Sequence, residues 1–212
     1  MIKPKLAVGV LLPLALLGCS REGELSTAGV TVIRSACPAV GIPMGTGDVT
    51  LFNPPASRES DAIDVVASMT NVRSSCVENS AQLVTTVNFE VHALRRDPRG
   101  AREVIVPYFA TVVQAGNNVV TKSVSRVALR FNEGDYRASS SGAATSQVLR
   151  SAATLPDAIR REIVRERRGG EADAAVDPMA DPKVREAVQR ASFEVLVGFQ
   201  LTPEQLTYNM TR

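Results

Sequence analysis

A chain of 212 residues with 44% hydrophobic residues is long enough to bury a sizeable core, and one globular domain is the default expectation. Lys and Arg number 24 against 22 Asp and Glu; with Lys3 and Lys5 at the extreme N-terminus, the chain from Cys19 onward is formally neutral, 22 against 22. That balance gives no electrostatic reason to expect nucleic acid, whose binding depends on cations that release phosphate counterions.

The first segment is tripartite. Met1-Ile2-Lys3-Pro4-Lys5 is cationic, Leu6 to Leu17 is apolar without a charge, and small Gly18 precedes Cys19. An apolar stretch of about a dozen residues is shorter than the roughly 20 needed to span a bilayer, so it reads as an export signal rather than a permanent span. The string Leu16-Leu17-Gly18-Cys19 resembles the lipobox of bacterial lipoproteins. This resemblance implies that residues 1–18 are removed and that Cys19 takes a diacylglyceryl thioether and an N-acyl chain; ordinary cleavage near an unmodified cysteine is the alternative. At about 0.8 kcal/mol per buried methylene, two or three acyl chains hold a protein on a membrane where one holds it only reversibly. Ser20 follows the cysteine where Asp would retain the chain at the inner membrane, which in the Gram-negative sorting pattern implies the periplasmic face of the outer membrane. Membrane lipid, reached through acylated Cys19, is thus the first expected partner.

Residues 19–28 carry no pattern and read as the lipidated tether, leaving 29–212 as one domain. With Cys19 acylated, Cys37 and Cys76 remain. An even pair in an oxidising compartment is most simply a disulfide, and a redox or metal role lacks both CxxC spacing and a nearby His.

Short strands are expected at Val30 to Arg34 and Val49 to Phe52, separated by Pro and Gly punctuation. Period-two alternation then marks longer ones. Ile63, Val65, Ala67 and Met69 share a face, as do Leu83, Val87, Phe89, Val91 and Ala93. Val104, Val106, Tyr108, Ala110 and Val112 follow, and then Val127, Leu129 and Phe131. Ala115-Gly116-Asn117-Asn118 suits a tight hairpin, and Asp97-Pro98-Arg99-Gly100 is given the same role one connection earlier. Asn132 to Ser146, rich in Gly and Ser, is expected to be loop. Pro156 opens a charged helix, Gly169-Gly170 ends it, and Pro182 to Arg190 forms another. Phe193, Val195, Val197, Phe199 and Leu201 alternate cleanly and must return to the core. The fold class expected is mainly β: an antiparallel, immunoglobulin-like β-sandwich with a charged helical excursion (150–190) before the last strand.

The segment Phe193 to Asn209 (FEVLVGFQLTPEQLTYN) resembles the closing segment of a group of uncharacterised lipoproteins from alphaproteobacteria. Asn71-Val72-Arg73-Ser74-Ser75-Cys76 and Val106-Pro107-Tyr108-Phe109 resemble the same group. The likeness covers about residues 30–131 and 190–209, whereas the charged excursion is peculiar to this chain. It implies an envelope setting and a β-rich domain, and it carries over no catalytic or ligand residue.

Candidate chemistry is sparse. His92 falls on the polar face of its strand beside Asn88 and Glu90, and no Gly-x-Ser-x-Gly elbow or Ser-His-Asp pattern assembles around it. No metal site or cofactor is expected, since one His, a paired Cys couple and scattered carboxylates form no ligand set. Arg160, Arg161, Arg165, Arg167 and Arg168 could meet lipid headgroup phosphates, against the plainer reading of a solvated helix balanced by Glu162, Glu166, Glu171 and Asp173. An interaction or assembly module with an envelope protein partner is the leading expectation for function. A carrier for lipid or another apolar ligand comes second, and a hydrolytic enzyme third.

Overall fold

Alternating apolar residues fold this chain into strands wherever one face can be hidden, and eight strands form among the described residues. The computed structural model describes residues 36–165, 167, 170, 172, 173 and 175–211. In chain order the strands are β1 (Ala39–Gly41), β2 (Asp48–Phe52), β3 (Ile63–Glu78), β4 (Gln82–Arg95), β5 (Arg102–Gln114), β6 (Asn118–Phe131), β7 (Arg137–Leu149) and β8 (Phe193–Phe199). Helices α1 (Asp157–Val164) and α2 (Pro182–Ala191) lie between β7 and β8, and α3 (Pro203–Thr211) closes the chain. The expected strand at Val30 to Arg34 lies outside the described residues.

The strands make two four-stranded sheets, β1-β8-β5-β6 and β2-β3-β4-β7. Their apolar faces meet in one core that contains Val65, Leu83, Val91, Val106, Leu129, Val195 and Phe199. The alternation read from the sequence therefore picks the inward faces. Phe199 is fully buried, and β8 pairs between β1 and β5 despite the excursion that separates it from them in sequence. All pairings are antiparallel except one, since the three residues of β1 run parallel to β8 from Ala39↔Glu194 to Gly41↔Leu196.

Two connections differ from expectation. The Asp97–Gly100 turn is no hairpin: it carries the chain from β4 in the second sheet to β5 in the first, with Gly100 at φ 71°. Only 132–136 is loop in the stretch after Phe131, and β7 occupies the rest, paired in unbroken register with β4 from Gln82↔Leu149 to Leu94↔Arg137. Its inward positions Ala138, Ser140, Gly142, Ala144 and Ser146 are small because β4 supplies the volume there, and only Val148 at its end adds a larger side chain to the core. A Cβ on Gly142 would come within 2.3 Å of the Phe89 ring, which stands edge-on to Tyr108 with centroids 4.9 Å apart. The Ala115–Asn117 turn behaves as expected, with Ala115 at φ 56° and Gly116 at φ 79° joining β5 to β6.

Three polar devices hold this frame. Cys37, just before β1, is bonded to Cys76 on β3, joining the segment that enters one sheet to a strand of the other. Closing a loop of 39 residues stabilises the fold by roughly 4 kcal/mol on the chain-entropy model. Arg95, inward on β4 and 1% exposed, donates to the carbonyls of Pro98 and Gly100 in the β4–β5 connection and of Asn132 and Asp135 in the β6–β7 connection, at 2.5, 2.7, 2.7 and 2.6 Å. Its guanidinium also lies 5.1 Å from the centre of the Phe131 ring. Finally, α3 covers the β2 edge, with Asn209 Nδ2 donating to the carbonyls of Gly45 and Asp48 and the Tyr208 ring edge-on to Phe52.

Candidate functional site

Strands β3 and β4 place a polar cluster on the outer face of the second sheet. The β3–β4 register slips between Thr70 and Arg73, and Asn71 takes a left-handed conformation there, φ 50°, which Asn tolerates better than most residues. The slip turns the Asn71 amide toward Glu90, whose Oε1 it meets at 2.9 Å, while Arg73 Nε donates to Asn71 Oδ1 at 3.0 Å and His92 Nε2 stands 3.2 Å from Glu90 Oε2. These contacts hold the Glu90 carboxyl below its ordinary range, the Asn71 hydrogen bond first and the His92 hydrogen bond next. Across the strand, Ser139 is in register with His92 and Ser141 with Glu90. No hydrogen bond joins Ser139 to His92 among the described residues, and the side chain of His92 is 56% exposed, so no activated hydroxyl is formed there. Its expected place on the polar face agrees with this.

A cleft of about 860 Å³ lies at the end of the sandwich. Ala153, Val188 and Phe193 give it an apolar floor, and Arg150 and Arg160 stand at its rim, paired with Glu78 at 3.1 Å and Asp157 at 2.6 Å. Ala153 and Phe193 also belong to the core, so the cleft borders the space between the sheets, where the inward strand residues pack on one another.

The arginine cluster is largely matched by acids close in sequence. Arg160 pairs with Asp157, Arg165 with Glu162 and Asp173, and Arg167 with Glu162 at 3.0 Å. Arg161 is exposed at the end of α1, and Arg168, like Cys19, lies outside the described residues. Among the described residues no group of three or more His, Cys, Asp or Glu is placed to hold a metal ion, and no helix is long and apolar enough to cross a membrane.

The four sheet edges differ sharply. β1 has three residues, β2 has five and is covered by α3, and β6 carries three cations. β7 has thirteen residues, with one charge, Arg137, no proline and no bulge against β4. Natural edges are normally shortened, charged, bulged or covered, because their unpaired N–H and C=O groups template further strands. Among the described residues β7 has none of these protections beyond Arg137. It is also held in place, since the Tyr108 hydroxyl reaches from the opposite sheet to the Ala143 carbonyl at 2.8 Å. Sequence reasoning missed this edge because it read the segment as loop; Arg95 was legible only as the next inward step after Leu83 to Ala93. No protein-family model matches the chain, and no curated protein or solved structure is significantly similar to it.

Proposed function

We propose that this chain is a membrane-anchored envelope lipoprotein whose sandwich recruits an extended segment of another envelope protein by strand addition along β7. The observation that carries the reading is the long, nearly uncharged and unprotected β7 edge, held rigidly by β4 and Tyr108. Strand addition draws its affinity from main-chain hydrogen bonds and needs no buried polar chemistry at the site. An edge with one charge favours a partner segment that is itself low in charge. An immunoglobulin-like class for the sandwich fits this use, and the crossings between sheets at β4–β5, β6–β7 and β7–β8 support it. Anchoring rests on the Leu16-Leu17-Gly18-Cys19 string, and Ser20 favours the outer membrane.

Two experiments test the two halves. Cys19→Ala should abolish metabolic fatty-acid labelling and membrane retention, and a variant that keeps its label would end the anchoring reading. A photoreactive residue at Ser141 or Thr145, installed in cells, should crosslink one partner that the same residue at Ser75 on β3 does not capture. Equal capture at all three positions would remove β7 from the proposal.

A second reading, a carrier for an apolar ligand, rests on the 860 Å³ cleft and its floor of Ala153, Val188 and Phe193. Mass spectrometry of the gently purified protein tests it: a stoichiometric lipid lost on Phe193→Asp would favour the carrier.

A further inference from the structure

A row of cations without an acid stands on β6. Residues 118–131 carry Lys122, Arg126 and Arg130 and no acid. In register with β5, Lys122 faces Thr111, Val124 faces Phe109, Arg126 faces Pro107, Ala128 faces Ile105 and Arg130 faces Glu103. These positions alternate with inward Val127, Leu129 and Phe131, so they share the outer face of the first sheet. Ile105 is 56% and Val124 57% exposed on that face. Arg130 pairs with Glu103 at 2.6 Å, and Lys122 Nζ sits 5.0 Å from the centre of the Phe109 ring. Arg126 has no acid within ion-pair distance among the described residues. The face is thus a stripe of alternating apolar and cationic side chains on an open sheet.

We propose that this face of β5 and β6 lies on the anionic phospholipid surface of the membrane that holds the chain, a proposal that rests on the anchoring of Cys19. Apolar side chains such as Val124 and Ile105 gain by entering the boundary between headgroups and acyl chains, and cations beside them meet lipid phosphates. The expected tether of residues 19–28 reaches up to about 30 Å, which allows the face to turn to the bilayer. A second copy is the less suitable occupant, because pairing two such faces sets one row of Lys122 and Arg126 against another, and like charges brought together oppose association. Arg160, Arg165 and Arg167 are already engaged by Asp157, Glu162 and Asp173, and β6, which carries no acid, is the better headgroup surface.

The test uses the lipidated full chain with Val124→Cys carrying an environment-sensitive fluorophore, or Ser75→Cys on the opposite sheet as control. Vesicles of phosphatidylcholine, with or without phosphatidylglycerol, contain a quencher-labelled lipid. The Val124 probe should be quenched about twofold in anionic vesicles and recover in high salt, while the Ser75 probe stays bright. Adding Lys122→Glu and Arg126→Glu should return the Val124 probe to its unquenched level with the melting temperature unchanged. A chain that floats with vesicles yet shows equal quenching at both positions, or none, overturns the face and leaves the anchor standing. Energy transfer between copies through Val124, without quenching, overturns it in favour of a dimer. A chain that does not float overturns the anchor; quenching of Val124 in that sample still supports the face, and its absence overturns the face as well.

Discussion

Strand β8 and the helical excursion before it are neighbours in sequence and opposites in structure. From Phe193 to Phe199 four residues are buried hydrophobics or aromatics closing the core between β1 and β5, whereas α1 buries no residue at all. In α2 only Val184 and Ala187 are buried, and neither belongs to the main core. Position along the chain therefore says little about structural weight; what matters is how much apolar surface a segment takes out of water. The excursion is held instead by local polar contacts, among them Arg160–Asp157 and the Asp181 cap on Lys183 N. Exposed contacts of that kind each contribute only about 0–1 kcal/mol.

The sharpest way to break this comparison is to damage each region separately. Phe199→Ala should cost about 3–5 kcal/mol, a large share of the 5–15 kcal/mol that keeps a domain folded. Deleting Asp157 to Asp181 should cost far less, since the segment adds little to the core. A thermal melt of both variants decides it: a deletion that unfolds the domain while Phe199→Ala melts like the parent would reverse the assignment of core and excursion.

Arginine offers a second contrast between the same kinds of region. The α1 arginines are exposed and conspicuous in the sequence, while Arg95 sits inside and clamps the β4–β5 and β6–β7 connections through four carbonyls. Arg95→Met keeps much of the side-chain volume but leaves those carbonyls without their donor. It should cost about 3 kcal/mol in a denaturant titration, against less than about 1 kcal/mol for Arg160→Met. Equal costs would mean that the connections hold without the clamp.

The pattern in what the sequence revealed follows from volume and parity. Strands whose inward side chains are large, such as Leu83 to Ala93 and Phe193 to Leu201, announce themselves by alternation, and the helix starting at Pro182 announces itself by Asp181 and proline. β7 is silent because its inward residues from 138 to 146 are Ala, Ser and Gly, with Val148 the one larger side chain at its end; Phe89 fills the space that a β7 side chain would otherwise occupy, so the run reads as a flexible loop. Of the candidate residues, Cys37 and Cys76 were legible as a pair. The polar cluster at Asn71 was not, because the register slip that brings Asn71 to Glu90 depends on β4 and leaves no glycine to mark it. The β6 face was hidden in plain view: its alternation was read for the inward residues alone.

The smallest expected effect lies on the outside of β4, the strand that buries Arg95 at its end. Glu90 is held ionised by the Asn71 amide and by His92, so its folded-state carboxyl titrates below its ordinary range. A carboxyl depressed on folding favours the folded state once pH is above the unfolded-state value, and the benefit disappears as pH falls through the folded-state value. The melting temperature of the parent should therefore exceed that of Glu90→Gln slightly at neutral pH, and the gap should close on acidification below the usual carboxylate range. Asn71→Ala should shrink the gap at neutral pH too, since it removes the leading cause of the depression. A gap that widens on acidification would show that Glu90 is not stabilised as an anion, and that the cluster around Asn71 is a solvated surface with no organised charge.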